Sequence, residues 1–342
     1  MKILYVSNYS PWILVSKGLM PSNHLFGIKE VLCNLFLDKN GVWHGDFNGG
    51  SVTFICVKSG SIKNVWRYYV QAFKYDIVYD VLNSVSKYLG LIPSCFRPFK
   101  LVTILHHPPF DKQLKLSDSD VYIFFSQKLK DIAQKSFPLK QHKMFLNEWK
   151  PDLNYYLPLH KVDTIYDFLD CGRTNRDHKT IVEALQLSKS KGLFFDKKNM
   201  TSQTDYDLFE GIHTFFYKEN FIPDEMYVEL IKCCRTMILA LPISSNVLGP
   251  LGATVIMDAL GLEMPIICSD NAYCADMILD NGLGLVFKAG DAEDLAQCMV
   301  KLKDSVFYEK CRKNIANYNN VGGGINMYSQ NVFRIFRDVL TL

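Results

Sequence analysis

Apolar positions along this chain switch between two patterns. Short unbroken apolar runs read as strands buried on both faces, and stretches whose apolar residues return every three or four positions read as helices with one buried side. In the first half the pattern predicts strands at Ile3–Ser7, Val52–Val57, Asp76–Tyr79, Leu101–His106, Val121–Phe125 and around Lys143–Leu146. It predicts helices at about Asn23–Leu37, Val65–Phe73, Val81–Leu89 and Gln127–Gln134. Such alternation predicts a parallel sheet with helices on both faces. Periodicity fades from Glu148 to Lys161, which carries Trp149, Pro151 and Pro158, and this stretch is the best linker candidate.

A second series follows. Ile165–Asp170 reads as a strand, Asp177–Leu187 as a helix, Thr214–Tyr217 as a strand, Asp224–Cys234 as a helix and Met237–Leu241 as a strand, with no clear element between Leu187 and about Gly211. Gly252 and Thr254 then open a helix through Val255, Ile256, Ala259 and Leu260 that stops near Gly261, and Pro265 introduces the strand Ile266, Ile267, Cys268. Helices are predicted at Ala292–Lys303, around Val306–Ala316 and from about Met327 to Val339.

At 342 residues the chain exceeds the usual single-domain size, so two domains with a cleft between them are expected. A composition of 48% hydrophobic and 21% charged residues suits a globular enzyme. The net charge of +3 and the lack of a dense Arg/Lys block argue against a nucleic-acid partner. The ten cysteines are scattered without CxxC pairs, which favours reduced core residues, the cytoplasm and no structural zinc. Met1 and Lys2 run straight into an apolar strand without a signal-peptide pattern, and no stretch reaches the roughly 18 apolar residues of a membrane span.

Two segments carry candidate chemistry. The helix opened by Gly252 offers free backbone N–H groups at Ala253 and Thr254 and the positive end of its dipole, both suited to a phosphate, and Asp258 adds a carboxylate from the same helix. Phosphate plus ribose is a nucleotide. In Asp170–Leu185 a buried strand ends near Gly172, and a polar turn bearing Arg173, Arg176 and Lys179 leads into a helix with Asp177 as its N-cap candidate. Cations at the carboxyl end of a strand stand where open α/β sheets bind ligands, and arginine forks suit a diphosphate.

The ordered set Asp258, Ala259, Leu260, Gly261, Pro265, Ile266, Ile267, Asp280, Gly282, Gly284, Gly290 and Asp291 resembles the nucleotide-sugar-binding half of GT-B glycosyltransferases, particularly glycosyltransferase family 4. The resemblance implies two Rossmann-like domains facing a cleft: residues 1–150 on the acceptor side, residues 162–325 binding the nucleotide sugar, and a C-terminal helix over 326–342 crossing back to the first domain, although from the residues alone that helix fits equally as the last of the second domain. It implies sugar transfer from a nucleoside-diphosphate donor to a hydroxyl acceptor, a glycan or a lipid-linked one, in surface polysaccharide assembly. Retention of anomeric configuration is implied too, with neither metal nor cofactor. Asp258 takes the place of the acid that holds the ribose, and Arg173 that of the first diphosphate cation. For the second cation the count from Ala184 and Leu185 favours Arg176, whereas the usual Arg-to-Lys spacing favours Lys179; Arg176 is preferred. In LHHPPF, His106 or His107 matches a loop histidine near the sugar or acceptor, with His107 as the catalytic candidate. Gly18 and Gly27 permit close backbone approach to donor and acceptor, or serve as a turn glycine and a helix-packing glycine.

One departure stands out. Pro250 occupies the position where the family has a Glu serving the donor sugar, and Asp replaces Glu at 258, so Ser245, Asn246 or backbone groups of Ser244–Leu251 would have to contact the sugar. The rival expectation is a non-catalytic two-domain binding protein of the same fold. Asp118 and Asp120 form a DxD string at the amino end of a strand, read as a solvated turn. Ser269 and Asp270 read as a helix cap. Lys63–Lys74 interleaves cations with Trp66, Tyr68, Tyr69 and Phe73, which suits either a sheet-packing helix or peripheral attachment to the inner face of a membrane.

Overall fold

The structure, a computed structural model, describes residues 1–57, 65–105, 118–159, 163–171, 176–194, 214–216, 224–243 and 251–341. It is an α/β protein of two units, one of Met1–Lys150 with Ile325–Leu342 and one of Pro151–Gly324.

The first unit holds strands β1 (Lys2–Ser7), β2 (Asn34–Leu37), β3 (Trp43–Phe47), β4 (Gly50–Cys56), β5 (Ile77–Asp80), β6 (Lys100–Ile104), β7 (Val121–Phe124) and β8 (Met144–Leu146) in the order β2-β3-β4-β1-β5-β6-β7-β8. From β4 to β8 every pairing is parallel, and β2 and β3 add an antiparallel hairpin at one edge. Its helices are α1 (Pro11–Ser16), α2 (Val65–Ala72), α3 (Ser86–Leu89) and α4 (Gln127–Ser136). Leu4, Val6, Val78 and Leu101 from the sheet pack with Tyr69 and Ala72 of α2 and Leu89 of α3, so the continuous apolar runs are explained by burial on both faces.

The helix expected over Asn23–Leu37 does not form. Phe26 and Gly27 both take left-handed backbone, at φ 47° and 82°, which ends any helix there. What remains is two 3₁₀ turns, Ser22–Leu25 and Lys29–Val31, followed by β2. The helix expected from Val81 is confined to α3 because the buried Asp80 carboxylate accepts the N–H groups of Ser84, Val85 and Ser86, with Asn83 at φ 54°.

The C-terminal helix, Gly324–Thr341, is part of this unit from Ile325 onward. Phe336 packs edge-on against Tyr79 with ring centroids 5.0 Å apart, and Asn147 Nδ2 donates to the Tyr328 carbonyl at 3.1 Å. Ser329 Oγ donates to the carbonyl of Gly27, and a Cβ on Gly27 would stand 2.9 Å from Ser329 Cα. The close approach at Gly27 is thus to this helix, which agrees with its reading as a helix-packing glycine.

The second unit holds α5 (Leu153–Tyr156), β9 (Tyr166–Asp170), α6 (His178–Ser188), β10 (Gly192–Phe194), β11 (Thr214–Phe216), α7 (Asp224–Lys232), β12 (Cys234–Leu239), α8 (Ala253–Gly261), β13 (Ile266–Ser269), α9 (Ala275–Asp280), β14 (Gly284–Phe287), α10 (Ala292–Lys303) and α11 (Ser305–Val321). Its sheet runs β11-β10-β9-β12-β13-β14 and is parallel throughout. Phe168, Ile238, Ile267 and Phe287 of four neighbouring strands pack with Ile181 and Leu185 of α6 and Leu295, Met299 and Leu302 of α10. Local chemistry agrees with that packing. Asp291 caps α10 by accepting the Asp294 N–H, with Glu293 and Asp294 in its first turn and Lys301 and Lys303 in its last, so the helix dipole is matched at both ends. The chain leaves β9 toward β10 on one side and reaches β12 on the other, which makes β9/β12 the topological switch point.

Candidate active site

Both expected site segments flank that switch point. Asp170 ends β9 with its side chain buried. Arg176 Nε lies 3.4 Å from Asp170 Oδ1 and His178 Nε2 lies 3.1 Å from Asp170 Oδ2, so one buried carboxylate holds two side chains at the start of α6. His178 also sets its ring edge-on to Phe194 of β10. Asp177 between them caps α6 by accepting from the Thr180 N–H and Oγ1–H.

The Arg176 side chain is only 2% exposed, and its Nη2 stands 3.4 Å from the place a Cβ on Gly252 would occupy. Gly252 is the N-cap of α8, at φ 79°, with no side chain capping the helix. The first intrahelical bond is donated by Ile256 to the Gly252 carbonyl, so the N–H groups of Ala253, Thr254 and Val255 carry the positive end of the helix. The guanidinium shares its charge with Asp170, and the α8 N-terminus beside it adds a second positive feature, a pairing that suits an anion. Thr254 is exposed there and Ala253 half-buried.

Asp258, one turn further along α8, is 4% exposed. It accepts from Tyr156 Oη at 2.5 Å and from Tyr227 Oη at 2.9 Å. Burial pushes its carboxyl up to about 6 while the two tyrosine hydrogen bonds pull it down. The two tyrosine hydroxyls are pushed well above their ordinary range, first by burial and then by the Asp258 charge, and so remain protonated donors. A carboxylate has about four lone-pair positions. The tyrosines occupy one on each oxygen. Tyr227 Oη also lies 3.8 Å from Cys171 Sγ, the residue after Asp170, so a chain of contacts links α8 to the end of β9. The Tyr156 ring covers Gly261, where a Cβ would stand 2.2 Å from Tyr156 Cδ2.

Arg173, His106 and His107 lie outside the described residues, as do Ser245, Asn246 and Pro250. Lys179 sits on the outer surface of α6 beside Glu183, 3.9 Å away. Asp118 accepts from Lys143 and Asp120 from Arg97, so the DxD string is engaged by neighbouring cations. Among the described residues no group of three or more His, Cys, Asp or Glu side chains is arranged to hold a metal ion. Ser269 does not cap a helix: its hydroxyl accepts the Leu241 N–H and ties the end of β13 to β12, while Asp270 accepts the Ala289 N–H. Asp170, His178, Tyr156 and Tyr227 were not marked by sequence reasoning. An Asp closing a buried strand before a cation-rich turn was the signal for Asp170; the two tyrosines come from segments without any motif.

Neither a family model nor a curated protein matches this sequence. Solved structures do. A glycosyltransferase from Rickettsia africae matches with a TM-score of 0.66 at 16% identity over 99% of this chain and 98% of its own. HepE from Anabaena, solved in complex with UDP, matches with 0.62 at 14% identity over 99% of this chain and 100% of its own. Sucrose-phosphate synthase from Thermosynechococcus elongatus matches with 0.68 at 11% identity over 100% of this chain and 99% of its own. No helix among the described residues is long and apolar enough to cross a membrane. With two α/β units and end-to-end matches of this kind, the chain has the GT-B fold of these glycosyltransferases.

Proposed function

We propose that the protein is a glycosyltransferase that moves a sugar from a nucleoside-diphosphate donor to a hydroxyl acceptor. The observation that carries this reading is the convergence of Arg176 with the N-terminus of α8 at the β9/β12 switch point. Two positive features meeting there suit a diphosphate, and Asp258 further along the same helix supplies a carboxylate of the kind that accepts ribose hydroxyls. HepE, of like fold, was solved with UDP and with UDP-glucose.

In this reading Arg176, with Arg173, stabilises the charge that develops on the departing diphosphate, and the α8 dipole adds to it; Asp170 and His178 fix Arg176 in place. That charge stabilisation needs no divalent metal. His107 is assigned to the sugar or acceptor. The resemblance to family 4 supports retention, with attack and departure on one face of the sugar, and a role in assembling surface glycans. A second reading, a nucleotide-binding protein without turnover, is favoured by Pro250 in the place of the sugar-contacting Glu. Incubation with a panel of nucleotide sugars, followed by mass-detected release of nucleoside diphosphate, separates the two. Release from one donor is expected, and nucleotide binding without release from any donor or to any acceptor would support the second reading.

A further inference from the structure

The first unit carries an aromatic surface that sugar transfer at the second does not use. Trp66 and Val70 of α2 and Phe73 just past its end recur at helical spacing and stand outward, Trp66 72% and Phe73 51% exposed. Tyr69 sits buried among them: its ring contacts Trp66 at 5.6 Å and Phe73 at 4.7 Å, and its hydroxyl donates to the Phe96 carbonyl. That bond fixes the turn Ser94–Phe96 beside the helix, and Phe96 is itself 68% exposed, with Leu91 also outward. Trp66, Phe73 and Phe96 therefore form one patch around a shared tyrosine. Large exposed aromatics gathered in this way mark an interaction surface.

The charge around the patch is one-sided. Of the seven Lys or Arg in residues 51–110, Arg97 is buried and paired with Asp120, and Lys58 and Lys63 lie outside the described residues, so the exposed cations beside the patch are Arg67, Lys74 and Lys87. Asp80 is buried under backbone N–H groups, and Asp76, which accepts the Lys2 N–H, is the one acid of this stretch that is exposed. Arg67, Lys74 and Lys87 are exposed, and among the described residues none of them is in an ion pair. Aromatic rings that insert at headgroup depth, beside exposed cations on long apolar stems, match an anionic bilayer surface.

We propose that this face of the first unit docks on an anionic lipid bilayer, with Trp66, Phe73 and Phe96 entering the interface and Arg67, Lys74 and Lys87 meeting the headgroups. The argument is independent of the reaction assigned above. The test is co-sedimentation of the full chain with phosphatidylglycerol-containing vesicles and with pure phosphatidylcholine vesicles, at low and moderate salt. The wild type is expected to partition onto the anionic vesicles, with less bound as salt rises and at least about tenfold less on the neutral ones. The variant Trp66→Ser, Phe73→Ser, Phe96→Ser also removes ring contacts to Tyr69, so its thermal midpoint should fall somewhat while unfolding stays cooperative and its partition falls about tenfold or more. Arg67→Gln, Lys74→Gln, Lys87→Gln should lower binding and remove most of the salt dependence. Wild type left in the supernatant of anionic vesicles at low salt, or a serine variant that sediments as well as wild type, overturns the proposal. So does a dimer in analytical ultracentrifugation that the serine variant abolishes without any vesicle binding, which would assign the face to a second copy of the chain.

Discussion

Arg176 and Gly252 approach so closely that a Cβ on the glycine would stand 3.4 Å from Nη2 of the arginine. The pair joins the residue before the α6 cap to the N-cap of α8. The guanidinium is carried by Asp170 on one side and aimed at a helix N-terminus on the other.

Arg176→Ala should cut kcat/KM by about 100-fold, the scale of losing one charge-stabilising donor. Arg176→Lys should fall between the two, because a point charge replaces a fork. Lys179→Ala, on the outer face of α6, should stay within about twofold of wild type. Steady-state kinetics on the donor found by the nucleotide-sugar panel checks all three, and a larger loss at Lys179 than at Arg176 would contradict the assignment.

The Asp258–tyrosine pair makes a separate prediction. Asp258→Ala removes a charged acceptor and should weaken nucleoside-diphosphate binding by about 1.5–3 kcal/mol. Tyr156→Phe keeps the ring over Gly261 and removes only the hydroxyl that donates to Asp258. Its effect on affinity at neutral pH should be smaller, and the Asp258 carboxyl should move further up, because that bond is one of the two that pull it down. Isothermal titration of UDP from pH 5 to 8 reads both effects. An acid limb of binding at the same pH in Tyr156→Phe and wild type would sever the link between the tyrosine and the ribose acid.

Asp258 also gives stability a signed pH dependence. Its folded value of about 6 lies above the ordinary carboxyl value, so the folded state binds the proton more tightly than the unfolded one. The contribution is present below about pH 4 and is lost as pH rises to about 6, at about 1.4 kcal/mol per unit, or roughly 3 kcal/mol in all. Asp258→Asn lacks this loss. In urea unfolding the stability of the variant relative to wild type should therefore rise across that window and level off above it, and a constant difference would show that the buried carboxyl is not shifted.

Gly27→Ala tests the packing of the C-terminal helix. The position is left-handed and the added methyl would meet Ser329 Cα at 2.9 Å, so the variant should lose at least about 1–3 kcal/mol. Thermal unfolding checks it, and an unchanged midpoint would mean that the helix yields freely at this contact.

The order of strands and helices was legible wherever burial forces a period. The apolar runs at Ile3–Ser7 and Val121–Phe125 and the capped helix at Ala292–Lys303 all return as elements. The edge hairpin was missed although Asn40-Gly41 is a strong turn signal; the half-apolar residues before it also fit a helical period, and only the left-handed pair Phe26 and Gly27 excludes one. Within the site, Arg176 and Asp258 stood out because cations after a strand and an acid in a helix are visible as local pattern. Tyr156 could not, since its role depends on Asp258 more than a hundred positions away, and the stretch around it has no period.

The account rests on a nucleoside diphosphate held between Arg176 and the start of α8. Isothermal titration of the full chain with UDP, and with other nucleoside diphosphates if UDP is silent, measures this directly beside Arg176→Ala and Lys179→Ala. The account predicts saturable one-site binding by wild type and Lys179→Ala, weakened at least about tenfold in Arg176→Ala, the loss of one charge-assisted contact. Equal affinity in wild type and Arg176→Ala, or no binding of any nucleoside diphosphate, would contradict it.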